Sequence, residues 1–209
     1  MVCRKSFRQG GGPLTQPESP VRWGGLAALL AGALIALSEL LRLYIDLVDP
    51  ALYRSVFSFD GALGLLLAVL VQLGLVGLYA RQARSVGTLG LVGFVLAFIG
   101  VQLSMGSSFV DAFAKPVIWP WEDPEYFERT VAALAIFAPG FVLGWVLLGV
   151  ATLRARIYPR ASAMLLIAGA LILLLPLPLG GVVFAAAVAW MGYVLFTGKG
   201  EEASQPTQA

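Results

Sequence analysis

The sequence predicts an all-α, polytopic integral membrane protein, with six transmembrane helices in a compact bundle and both termini in the cytoplasm. Three observations carry that reading. Hydrophobic residues make up 59% of the 209 and charged residues only 12%, about half the charged share of an ordinary soluble domain, so a water-soluble fold could not cover itself. Apolar runs close to the ~20 residues that cross a ~30 Å hydrocarbon core recur along the chain. Lysine and arginine collect in alternate connections between those runs, as expected of loops held on one side of a membrane.

Taken in order, residues 1–22 scatter Arg4, Lys5, Arg8 and Arg22 among Gly, Pro, Gln and Ser, the composition of a disordered basic tail. The first apolar run, 23–45, is too long for a signal-peptide core and lacks a small-residue cleavage site, so it stays as a helix. The second span, 61–80, ends at Arg81 and Arg84, and the third, 87–108, follows so closely that the two form an antiparallel hairpin. In 109–129, Pro116, Pro120 and Pro124 forbid a continuous helix, while Trp119 and Trp121 suit the headgroup boundary. An outer, interfacial or partly re-entrant loop is expected there.

Span four, 130–153, contains Pro139, which deprives the Ala135 carbonyl of its helical donor and predicts a kink. Span five, 161–175, closes at Pro176-Leu177-Pro178, and span six, 179–197, leads into a polar, disordered tail, 198–209. Arg4, Lys5, Arg8, Arg22, Arg81, Arg84, Arg154, Arg156, Arg160 and Lys199 all fall on one side of this arrangement, against Arg54, Lys115 and Arg129 on the other. Basic residues are retained in the cytoplasm, which orients the chain with both ends inside.

Lipid tails are as apolar as leucine, so the helices must associate through close packing at small residues. Gly87, Gly90 and Gly93, the Gly140/Gly144 pair, and Ala185, Ala186 and Ala189 are the candidates. The Gly140/Gly144 pair reads as an intramolecular contact in preference to a dimer contact.

Charge enters the apolar spans at Glu39, Arg42 and Asp46, whose spacings of three and four stack them on one helical face. Glu39 lies about 9 Å below the outer boundary at ~1.5 Å per residue, and Gln102 in span three lies near the same depth. An ionised group at that depth costs several kcal/mol unless it is paired or hydrated, so such groups face a bundle interior or a wet cavity. The expectation is an outward-facing polar vestibule lined by Glu39, Arg42, Gln102, Ser108 and Asp111 over an apolar floor. The competing reading is that Glu39 and Arg42 satisfy each other within one helix and need no ligand.

The chain has one cysteine, Cys3, and no histidine, which removes the usual zinc, copper and haem ligand sets. The acidic run Glu122, Asp123, Glu125 and Glu128 lacks calcium-loop spacing, so no metal and no cofactor are expected. There is no phosphate-binding loop, no Gly-x-Ser-x-Gly and no His-Glu-x-x-His. The protein is expected not to be an enzyme. Its basic residues read as topology signals and contacts with anionic lipid, with no nucleic-acid surface.

Gly149-Val150-Ala151-Thr152-Leu153-Arg154, followed by Tyr158-Pro159-Arg160 and a Leu/Ala/Gly-rich span, resembles a pattern of uncharacterised families of small bacterial multi-spanning membrane proteins. The resemblance implies a bacterial cytoplasmic membrane and carries no functional residues with it. The expected role is a non-catalytic membrane component, either an accessory subunit beside other membrane proteins in the bilayer or an outward-facing binding module. The alternative is a small-solute or ion transporter, which requires a polar route past Gln72.

Overall fold

The computed structural model describes residues 18–48, 53–114, 124–175 and 180–198, and among them every regular element is helical. Six α-helices follow one another: α1 (Glu18–Val48), α2 (Tyr53–Gln82), α3 (Gly87–Phe109), α4 (Pro124–Ala155), α5 (Arg160–Ile172) and α6 (Gly180–Thr197). Segments of α1, α2, α3, α4 and α6 are long and apolar enough to cross a membrane. The fifth helix has 13 residues, about 20 Å at the α-helical rise.

Several boundaries differ from the sequence expectation. The outer connection is shorter than 109–129, because α3 runs on into a single π-helical segment, Val110–Ala114, and α4 already starts at Pro124. Proline is compatible with a helix start, where its missing N–H would have no acceptor. Pro139 is exposed on α4, which continues through it. Trp119, Trp121 and the acidic pair Glu122 and Asp123 lie outside the described residues, as do the two tails 1–17 and 199–209.

Each helix packs on the next in sequence and α6 closes on α1, so the bundle is a ring. Its closest approaches are made where glycine removes the side chain. A Cβ on Gly32 of α1 would stand 2.5 Å from the Ala185 carbonyl oxygen of α6, and one on Gly24 would stand 2.6 Å from the Gly77 Cα of α2. On α3, a Cβ at Gly93 would lie 2.6 Å from the Leu148 backbone nitrogen of α4. Gly144 of α4 answers it by abutting the Ala97 backbone, whereas a Cβ on Gly140 would meet no atom of the described residues within 4 Å. The Gly140/Gly144 pair is thus divided, with one member inside the bundle.

Both described ends of the chain lie at the same end of the ring. Arg22, at the start of α1, sits 5.7 Å above the Phe196 ring at the close of α6. Arg81, at the close of α2, points a guanidinium nitrogen at the Val194 carbonyl 3.5 Å away. Arg154, Arg156 and Arg160 flank the α4–α5 turn at this same end, and we call it the arginine end. Arg156 closes α4 with a φ of 56°, a left-handed stop of the kind that ends many helices.

Toward the far end the ring is uneven. Beyond Ile172 the chain tightens, with Leu174 donating to the Leu171 carbonyl at 3.1 Å and Leu175 to that of Ile172 at 2.9 Å. The start of α6 at Gly180 lies against Ile172 and beside Glu39, nine residues before α1 ends. The described start of α6 therefore lies about 14 Å short of the end of α1, at ~1.5 Å per residue. Among the described residues this offset leaves a recess.

Candidate functional site

That recess is continued by a cavity of about 290 Å³ inside the ring. One wall is α1, which presents Ser38, Glu39 and Arg42 on one face through its three- and four-residue spacing. Opposite stand Ser104 and Ser108 of α3, and between them α2 contributes Gly61 and Gly64. A Cβ at Gly64 would meet the Ser108 hydroxyl oxygen at 2.5 Å, so the glycine is what lets that hydroxyl approach α2. Deeper, the lining turns apolar through Ala68, Val71, Val101, Phe141 and Phe184. Charged and hydroxyl groups are gathered near the mouth and hydrocarbon at the base.

Glu39 is half-buried, and its carboxyl group lies over the first turn of α6. A Cβ built on Gly181 would stand 2.6 Å from the carboxyl carbon and 2.9 Å from Oε1. The first four N–H groups of a helix lack intrahelical acceptors and form the positive end of its dipole. A glycine at 181 thus opens the start of α6 to a carboxylate on α1. Ser38 meanwhile donates to the Ile35 carbonyl of its own helix at 2.9 Å.

Of the residues expected to form the vestibule, Glu39, Arg42 and Ser108 are brought together around the cavity. Gln102 is not: it is exposed on the outer face of α3. The side chains of Asp111 and Asp46 are outside the described ones. Ser38, which opens the charged stretch of span one, and Ser104, which continues the polar positions outward from Gln102 toward Ser108, also line the cavity; the sequence does not mark out Gly64 or Gly181.

The base of the cavity is closed by packing. Trp145 is fully buried and meets the Phe184 ring edge-on at 5.0 Å, with Phe141 at 6.1 Å on its other side. Below it, Leu75, Leu78, Leu148, Leu166, Met191 and Leu195 are almost fully buried. Gln72 does not line the cavity, and its Nε2 is buried with no hydrogen-bond partner among the described residues.

A second polar cluster lies at the arginine end. Gln82 and Thr152 are fully buried and linked by a 2.9 Å hydrogen bond between Thr152 Oγ1 and the Gln82 carboxamide. Thr152 also donates to the Leu148 carbonyl at 2.8 Å. One hydroxyl has one proton, and carboxamide nitrogen and oxygen are assigned from their surroundings. The consistent arrangement has Gln82 donating to Thr152 and Thr152 to Leu148, which satisfies the amide nitrogen that otherwise has no partner. Tyr158 joins them, with its hydroxyl 3.5 Å from the Leu78 carbonyl and Arg81 5.5 Å above its ring. Burial pushes its phenol above the ordinary tyrosine range and the Arg81 charge opposes this, so the hydroxyl remains a donor at neutral pH.

This cluster predicts a particular mutational cycle. Thr152→Val removes the hydroxyl at nearly constant volume, strands a buried carboxamide, and is expected to cost about 1–3 kcal/mol. Adding Gln82→Leu is expected to recover most of that loss, because neither partner is then left polar. Thermal unfolding of the two single variants and the double variant in one detergent gives the coupling; additive losses would show that the two groups act independently.

No protein-family model, no curated protein and no solved structure matches the chain.

Proposed function

We propose that the protein is a non-catalytic binding module of the bacterial cytoplasmic membrane that receives a small amphiphilic ligand from the outer leaflet. In this reading α5, with the apolar turn Leu173-Leu174-Leu175, completes a sixth crossing, and the arginine end faces the cytoplasm. Both described ends lying at that one end supports an even number of crossings, and the clustered arginines support its orientation.

The observation that carries the proposal is the cavity's division into a charged mouth and an apolar base within one ring of helices. Ligand sites are concave and mostly apolar, with a few placed polar groups that fix orientation. Here Glu39 and Arg42 offer both signs of charge one helical turn apart, and Val71, Phe141 and Phe184 offer a bed for hydrocarbon. A ligand with a polar head and a short apolar body fits that order. The transporter alternative draws less support, because Trp145 and the buried leucines stand between the cavity and the arginine end.

The test is native mass spectrometry of the protein purified in mild detergent, beside Glu39→Gln purified identically. A retained small molecule in the wild type, lost from a normally eluting Glu39→Gln variant, is the expected result. A variant that merely yields less folded protein, with no molecule retained by either, would leave Glu39 as a structural partner of α6 and sink the binding role.

A further inference from the structure

Gln102 is the one exposed carboxamide among the described residues, and its position is costly. It lies seven residues before α3 ends at Phe109, about 10 Å inside that end at the α-helical rise. Polar groups facing hydrocarbon without a partner are strongly disfavoured. Serine or threonine can bond back to its own helix, but a glutamine amide needs something beyond it.

Its neighbours on that face are arranged for a helix. Val92, Val95, Ile99, Gln102, Gly106 and Phe109 are all exposed and follow one another at alternating spacings of three and four. That is the seam along which two helices wind with left-handed crossing. Gly106 is exposed, with no atom of the described residues within 4 Å of where its Cβ would be, leaving a hole one turn from the amide.

We propose that this face of α3 is the interface with a second copy of the same chain, related by a two-fold axis along the membrane normal. Such an axis sets identical residues opposite each other. A carboxamide carries both a donor and an acceptor, so Gln102 is its own complement across the axis, whereas a charged side chain there would repel its copy. One polar residue within an apolar seam fixes register and partner number in coiled helices, and interhelical amide bonds add to association in lipid. The interface leaves the cavity mouth free, since Ser104 and Ser108, which line the cavity, lie on the side of α3 away from the Gln102 seam at the helical spacing.

The test uses the whole chain in liposomes, with Cys3→Ser as background. Ile99→Cys, on the seam, should give an oxidised dimer of the same chain, and Val76→Cys, on the exposed face of α2, should not. Energy transfer between separately labelled copies, followed as lipid is added, should show Gln102→Leu dissociating about tenfold more readily. The thermal midpoint of the dissociated chain in detergent should change little, because the side chain is exposed within its own copy. Unchanged dissociation of Gln102→Leu, equal cross-linking at Val76→Cys, or no oxidised dimer of Ile99→Cys would each overturn the proposal.

Discussion

Gly144→Leu is expected to destabilise the protein by about 3 kcal/mol, the upper range for overpacking a filled interface, while Gly140→Leu leaves it nearly unchanged. The two glycines are four residues apart on α4 and look equivalent as a Gly-x-x-x-Gly pair. Gly144 abuts the backbone of Ala97, and a backbone in a packed helix cannot turn aside as a side-chain tip can. A leucine there must part α3 from α4 over the length that also holds Gly93 against Leu148. Gly140 has no atom of the described residues within 4 Å in the direction of a new side chain. Melting curves in a single detergent, read by tryptophan fluorescence, separate the two; equal losses would mean that the α3–α4 seam is not the one described.

Gly181→Val is expected to weaken ligand retention about 10- to 100-fold, the range for losing a hydrogen bond to a charged group, although it leaves every charged residue in place. A Cβ at 181 would stand 2.6 Å from the Glu39 carboxyl carbon, so the carboxylate must leave the start of α6. Glu39→Gln removes the charge and keeps the shape; Gly181→Val keeps the charge and moves it. If placement matters, both variants lose the molecule that the wild type retains in native mass spectra. Full retention by Gly181→Val would mean that the seat on α6 is irrelevant to binding.

The helical character and the register of the glutamate–arginine face were legible in the sequence, because charge in an apolar run is rare and its three- and four-residue spacing defines a face. Ser108 could be placed by depth alone. Gln102 could not. The α3 sequence is apolar nearly all the way round, with glycines on several sides, so no stripe marks which face turns inward, and depth was mistaken for direction. The Gln82–Thr152 bond joins positions 70 residues apart and sits at helix ends, where polar residues read as boundary markers. Their burial follows from α2, α4 and α5 converging, which no local pattern announces. Gly181 was silent for a related reason: its role lies in what a neighbouring helix places against it.

Cysteine accessibility in a Cys3→Ser background decides whether the cavity opens at the far end and is sealed toward the arginine end. Ser104→Cys and Ser108→Cys line the cavity, Leu75→Cys and Leu78→Cys lie in the seal, and a charged, membrane-impermeant thiol reagent can be applied to oriented vesicles from either face. Labelling is expected at the two serine positions only from the face opposite the arginines, and at neither leucine position from either face. Labelling of Ser104→Cys or Ser108→Cys from the arginine face, or of Leu75→Cys from any side, would contradict that opening and seal.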